Sequence, residues 1–236
     1  MRIPRPPASW VVTLSTDWTG SAREVIFREL KGVILGGAAA PGSPIPVDDV
    51  AARYNVSRIP VREALMSLVG EGLVEHRPRS GYTVAALTPD ELREFYVVRE
   101  VLEAAALGAA IRRATALDDA HATAAHQATA RAIESGDSRG HHRESRRFHL
   151  ALVNAARMPR LGRMFESAWN ITEPVRPMAY ASKPAVDLLN DDHERMLHAF
   201  LARDAPTLLE VSRLHHSRLQ TFVSTLPPGS GLRRDA

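Results

Sequence analysis

The chain has no cysteine, which excludes disulfides and thiolate-ligated metal centres. It has no apolar run approaching the ~20 residues of a membrane-spanning helix, and near its start no uninterrupted apolar segment leads to a small-residue cleavage site. A cytoplasmic location is the expectation. Aromatic residues make up only 6% of the chain, and Lys31 and Lys183 are the only lysines among 30 basic residues. Nor is one sign of charge in large excess: 30 basic against 27 acidic residues leave a formal charge of +3. That balance permits nucleic-acid binding without arguing for it, so the placement of the arginines carries more than their number. What is present is a 236-residue chain, 44% hydrophobic, long enough to bury a substantial core in two domains, one small and one of roughly 140 residues.

Residues 55–84, NVSRIPVREALMSLVGEGLVEHRPRSGYTV, combine a short basic helix with a basic hairpin. Ser57 suits an N-cap, its hydroxyl accepting from a free amide of the first turn, and Pro60 falls inside that turn, where a missing N–H costs little. Val61, Leu65, Leu68 and Val69 then recur at helical spacing and Gly72 closes the helix, which leaves Arg58 and Arg62 one turn apart on its N-terminal part. In a recognition helix these positions reach base edges in the major groove, where an arginine can bond guanine O6 and N7 together. Residues 73–75 and 82–84 read as two short strands around Arg77-Pro78-Arg79-Ser80-Gly81, a hairpin able to lie along phosphates or enter the minor groove. Within this stretch Arg58, Arg62, Arg77 and Arg79 outnumber Glu63, Glu71 and Glu75.

Upstream, Ser21 and Glu24 make a capping box ahead of an apolar stripe of Ile26, Phe27, Leu30, Val33 and Ile34. Pro41-Gly42 breaks the chain, and residues 47–54 form a second short helix with Val50 and Ala51 inward and Asn55 as the turn residue. The whole is a winged helix-turn-helix. The run PGSPIPVDDVAARYNVSRIPVREALMSLVGEGLVEHRPRSGYTV resembles the DNA-binding domain of GntR-type bacterial transcription regulators. That resemblance covers roughly residues 21–85 and implies operator contacts from Ser57, Arg58 and Arg62, assisted by the wing around Arg79 and Gly81. Asp48 departs from the pattern, standing near where some relatives place another basic contact; Arg53 is a candidate substitute.

Residues 1–18 contain three prolines, lack a period and read as a tail, as do residues 227–236. Between them the reading divides residues 19–86 as the DNA-binding domain from residues 87–226, because Thr88-Pro89-Asp90-Glu91 joins a capping box to a proline at the first helical position. Helices are expected at roughly 89–114, 117–135, 140–157, 159–181, 184–203 and 206–225, the fourth interrupted by Pro174 and Pro177. No strand pattern occurs there. The fold class is thus mainly α: a winged helix-turn-helix with a small β-hairpin, then an all-α bundle. The order of the two domains resembles the FadR subfamily of GntR regulators, whose C-terminal domain is called FCD, through VVREVLEAAALGAA, RRFHLALVNAA, DDHERMLHAF and LHHSRL.

Three histidines in these fragments lie on apolar stripes of three separate helices: His149 with Phe148, Leu152 and Ala156; His193 with Leu189, Met196, Leu197 and Phe200; His215 with Leu208, Val211, Leu219 and Phe222. A lone histidine so placed is usually a satisfied core residue. Three that converge can share one divalent ion such as zinc, nickel or manganese, leaving coordination positions open. The family resemblance implies such a metal, held with an acidic residue four positions before the first histidine; here that position is Ser145, and Glu144 beside it is turned by about 100° around the helix. Ser145 therefore leaves two expectations open, a weak or effector-completed metal site and a metal-free pocket for an acyl or other apolar ligand. Arg99 has Glu103 one turn later, so an intrahelical ion pair is one reading; by resemblance Arg99 captures a small carboxylate effector, with Asn154 lining the same cavity. His142, His198 and His216 fall off the main stripes and are expected at the surface. The function implied is a ligand-responsive regulator that binds a pseudo-palindromic operator as a homodimer. A three-histidine hydrolase is the remote alternative, for it lacks a general base at defined spacing and leaves the DNA-reading module without a use.

Overall fold

The structure, a computed structural model, describes residues 8–18, 20–227 and 230–233. The chain forms two compact units: the first runs to Leu87 and includes Glu173–Val175 and the residues from Gly231, and the second holds Thr88–Thr172 and Arg176–Ser230. The first contains helices α1 (Ala22–Leu35), α2 (Val47–Tyr54) and α3 (Arg58–Gly70) and strands β1 (Pro44–Ile45), β2 (Val74–Arg77) and β3 (Gly81–Val84). Reciprocal bonds start α1: the Glu24 amide donates to Ser21 Oγ at 3.3 Å and the Ser21 amide to Glu24 Oε2 at 3.0 Å. α2 stops at Asn55, whose φ of 52° is left-handed, a conformation asparagine tolerates better than most residues. Ile26, Leu30, Val50, Val61, Leu65 and Leu68 close the core. The sheet is antiparallel in the order β1-β3-β2, with Arg77 opposite Gly81 at the hairpin end and Ile45 opposite Tyr82 on the other side. β1 was not expected, because a proline and one isoleucine ahead of a second proline carry no period.

The N-terminal tail needs correcting. Residues 1–7 and 19 lie outside the described residues, but Trp10, Val11 and Leu14 are only 7%, 2% and 1% exposed and belong to the core of the first unit. A 3-10 turn, Val11–Thr13, carries them. The Leu14 carbonyl accepts from Nε and Nη2 of Arg53 at 3.2 and 2.8 Å, and the Trp18 ring meets Tyr54 edge-on at 6.4 Å. Three apolar residues beside a proline-rich start are too few to declare a helical period, so their burial shows only in tertiary structure. Of the C-terminal tail, residues 228–229 and 234–236 lie outside the described residues, while the Arg233 amide donates to the Leu87 carbonyl at 2.7 Å.

The second unit is a bundle of α4 (Pro89–Arg113), α5 (Ala116–Glu134), α6 (Ser138–Ala155), α7 (Pro159–Thr172), α8 (Lys183–Leu201) and α9 (Ala205–Val223). Thr88 and Glu91 cap α4 reciprocally, with Pro89 inside its first turn, while Asp137 and Asp204 cap α6 and α9 by accepting from Gly140 and Thr207 amides. α7 stops at Thr172, short of the expected 181, and the chain passes Pro174 and Pro177 as two 3-10 turns, since neither proline can donate to a continuing helix. Leu92, Leu107, Phe148, Phe165, Met196 and Phe200 fill the core. α4 is apolar on two sides: Leu92, Tyr96 and Ala106 are buried, whereas Val97, Val98 and Val101 are 48%, 37% and 62% exposed. Among the described residues no helix is long and apolar enough to cross a membrane. Because Trp10 is core, Trp10→Ala is expected to lower the unfolding free energy by about 3 kcal/mol; urea denaturation checks this, and a loss under ~0.5 kcal/mol would return residues 8–14 to the status of a tail.

Candidate functional site

The centre of the bundle gathers its histidines around one carboxylate. Glu103 of α4, completely buried, turns one oxygen to His149 Nδ1 of α6 at 2.6 Å and the other to His216 Nε2 of α9 at 2.5 Å. Burial alone would raise the Glu103 carboxyl, but the hydrogen bonds it accepts from the His149 and His216 imidazoles outweigh it and hold the group below the ordinary carboxylate range. Accepting the Nδ1 hydrogen fixes the tautomer of His149 and leaves Nε2 with a lone pair, the arrangement found behind metal-ligating histidines. That Nε2 lies 3.1 Å from His193 Nε2 of α8. Without a cation one of these nitrogens has to donate to the other; around a zinc ion at ordinary bond lengths two ligand nitrogens also stand ~3 Å apart.

His215 of α9 completes the group, the three imidazoles offering ligand atoms all within 4.8 Å of one another. Asp192 of α8 stands behind His215, its Oδ2 3.7 Å from Nδ1, and is itself gripped by Arg218. Burial lowers all three histidines: His193 well below its ordinary value, His149 in spite of the opposing Glu103 charge, and His215 to about 4 in spite of Asp192. They are therefore neutral near pH 7, as metal ligands have to be. Nδ1 of His193 and of His215 has no hydrogen-bond partner among the described residues, and a buried polar atom left so costs roughly 1–3 kcal/mol. The shared cavity has a volume of about 30 Å³ and is lined by Tyr96, Arg99, Ser145, Trp169, Leu189 and the three histidines among others. Such a volume suits an ion or one or two waters, not an acyl chain.

Arg99 is 2% exposed. Its guanidinium carbon lies 3.4 Å from the Trp169 ring centre and 4.6 Å from that of Tyr96, and Nη1 reaches Thr172 Oγ1 at 3.5 Å. Arg99 thus packs over two aromatic rings as a buried cation in the cavity wall. Asn154 does not belong there. It is exposed, because five residues of helix turn it about 140° away from His149. His216 corrects the surface reading in the other direction, being fully buried; α9 packs against both α4 and α8, so two adjacent residues 100° apart each meet protein. His142 is half-buried and lines the cavity with buried His141, whereas His198 is exposed as expected. The Glu103–His216 pair has no signature beyond its residue types, since only the packing of α4 on α9 brings positions 113 apart together.

In the first unit, Ser57, Arg58 and Arg62 are all exposed at the start of α3. Ser57 occupies the N-cap but makes no side-chain capping bond. Part of the reason is local: Pro60 stands third in the helix and lacks one of the two amide hydrogens that a capping hydroxyl accepts. The hydroxyl is left for another partner. Ile59, 67% exposed between the arginines, is an apolar side chain the stripe reading passed over, placed where a thymine methyl could meet it. Arg79 has a φ of 67° at the hairpin tip and Gly81 one of 86°, so the turn presents Arg79 outward, while Arg77 pairs with Glu75 at 3.1 Å. Arg53 is spoken for by the Leu14 carbonyl.

Residues 22–84 match the gntR family of bacterial regulatory proteins, and residues 94–218, more than half of the chain, match the FCD domain. The chain belongs to the GntR family, in its FCD-bearing branch. Among its relatives, the HTH-type transcriptional regulator BphR of Paraburkholderia xenovorans is 28% identical over 199 residues, 81% of each chain. The HTH-type transcriptional regulator McbR of Escherichia coli is 28% identical over 181 residues, 76% of this chain and 82% of that one. In fold, the solved E. coli McbR/YncC gives a TM-score of 0.76 at 24% identity, covering 87% of this chain and 98% of the other. A GntR regulator from Rhodococcus sp. RHA1 gives 0.77 at 22%, covering 86% and 98%. This GntR protein is therefore a DNA-binding transcription regulator with an effector-binding domain, and not an enzyme. Glu103→Ala, which orphans two buried imidazole N–H groups and leaves a void, is expected to cost roughly 3 kcal/mol of stability in chemical unfolding; a loss under ~1 kcal/mol would mean that the carboxylate does not organise the bundle.

Proposed function

We propose that this GntR regulator binds a pseudo-palindromic operator as a homodimer and that its FCD bundle holds a divalent ion, zinc, nickel or manganese, on His149, His193 and His215 beside a small carboxylate effector. The observation that carries the reading is the set of three neutral, buried imidazoles converging on an ion-sized space with carboxylates behind two of them. When bound, the ion supplies open coordination positions that a carboxylate can complete. Arg99 gives such an anion a desolvated, pre-oriented cation, and Ser145, in place of an acidic ligand, leaves room and charge for the effector's own carboxylate. A wider cavity of about 270 Å³ shares His141 and Met178 with the small one, which gives the rest of an effector somewhere to lie.

The exposed valines of α4 support the homodimer, since an apolar stripe with no cover in one chain is satisfied by its copy. A cytoplasmic location is part of the same reading. On DNA, Ser57, Arg58 and Arg62 face the major groove, and Arg77, Arg79 and Gly81 form the wing. The effector acts by preferring one arrangement of the paired DNA-binding domains, because a ligand shifts an equilibrium only through differential affinity.

Elemental analysis of untagged protein purified without chelators tests the metal: near-stoichiometric zinc, nickel or manganese that disappears in His193→Ala is expected. Absence of metal from both proteins would overturn the metal reading in favour of a metal-free ligand pocket. For the DNA face, Arg62→Ala is expected to reduce discrimination between selected and random duplexes by about 1–3 kcal/mol. Equal losses on both DNAs would reduce Arg62 to a phosphate contact.

A further inference from the structure

On the DNA-reading face one acidic side chain sits against one of the arginines. Asp48, in the first turn of α2, takes the Arg58 guanidinium from the side: Nη2 donates to Oδ2 at 3.0 Å and Nε pairs with Oδ1. The side chains of Arg58 and Asp48 are 62% and 67% exposed. An ion pair that open to water contributes little to folding, so its consequence lies in what it does to the surface. A guanidinium has two edges able to make paired hydrogen bonds. Asp48 occupies the Nε–Nη2 edge, and Nη1 has no partner among the described residues. The Nη1–Nη2 edge is left with the two parallel donors that bonding to O6 and N7 of guanine requires.

Two further effects act in the same direction. A side chain held in place before binding loses less rotamer freedom on contact with a base. The carboxylate also offsets the attraction of Arg58 for the phosphate backbone, which lowers affinity that is indifferent to sequence. Arg62, one turn further along α3, has no ion pair among the described residues and keeps its full charge. We propose that Asp48 is a specificity-determining residue of this regulator, holding Arg58 side-on so that the arginine reads a guanine and does not settle on a phosphate. The proposal rests on the reading of α3 as the base-reading helix. The acidic residue that looked like a lost DNA contact in the sequence then becomes the support for a neighbouring one.

The test is selection of duplexes from a random-sequence pool by the full chain, followed by titration of the selected duplex and a scrambled one over a salt series. Wild type, Arg58→Ala, Asp48→Asn and Asp48→Glu are compared. Expected is loss of preference at the same guanine in Arg58→Ala and Asp48→Asn. The ratio of affinities for selected over scrambled DNA should fall about tenfold in Asp48→Asn, with scrambled binding no weaker, a steeper salt dependence, and partial recovery in Asp48→Glu. Asp48→Asn binding both duplexes more tightly by one factor, with its guanine preference intact, would overturn the proposal and leave Asp48 as a simple repulsive charge; an unchanged Asp48→Asn would overturn it as well. If Arg58→Ala keeps every preference, the base-reading role of Arg58 fails and this inference with it. If only Arg58→Ala loses the preference, the role of Asp48 alone fails.

Discussion

The second domain depends on one buried carboxylate. Glu103 joins α4 to α6 through His149 and to α9 through His216, and no water is needed to satisfy either oxygen. An ionised group in a protein interior is tolerated only when its hydrogen bonds are complete. The two imidazoles complete them, and in doing so acquire fixed tautomers. The same contact that makes Glu103 tolerable therefore leaves His149 Nε2 as a lone pair aimed at His193. Structure and site chemistry share a cause here: the helices cannot pack without orienting the ring.

Around that centre the bundle separates its charges. Asp192, gripped by Arg218, stands behind His215. Arg99 packs over the rings of Trp169 and Tyr96. Fixed anions lie behind the imidazoles and a fixed cation lies in the wall beside them, a polarity suited to a cation ringed by neutral ligands with an anion arriving from the side. The DNA-binding domain manages charge differently, at the surface. Pro60 leaves the Ser57 hydroxyl without one of its customary amides, and Asp48 occupies one edge of Arg58. In both cases a local sequence choice decides which hydrogen-bonding groups remain to meet DNA.

Much of this was legible in the sequence where the signal was local. Capping boxes at Ser21 and Thr88, the helical stripes, and the hairpin around residues 77–81 are encoded within a few residues, and so are the three histidines, because each shares a stripe with apolar neighbours on its own helix. What escaped the reading depends on partners distant along the chain. Glu103 looks like a neighbour of Arg99 until α9 is laid against α4. His216 looks exposed until its helix is covered on two sides. Trp10, Val11 and Leu14 are too few to show a period, and β1 is two residues long. The misplacement of Asn154 has another origin, since a position implied by family resemblance takes no account of the helical rotation that turns this residue to the surface.

The central claim is that three oriented imidazoles form one metal centre with positions left open for a carboxylate. X-ray absorption at the metal edge of the protein as purified tests it most directly. The account predicts a first coordination sphere of three imidazole nitrogens at ~2.0–2.1 Å for zinc, with oxygen donors in the remaining positions. A metal bound with fewer than three imidazoles, or one whose surroundings are unchanged in His149→Ala, would contradict it.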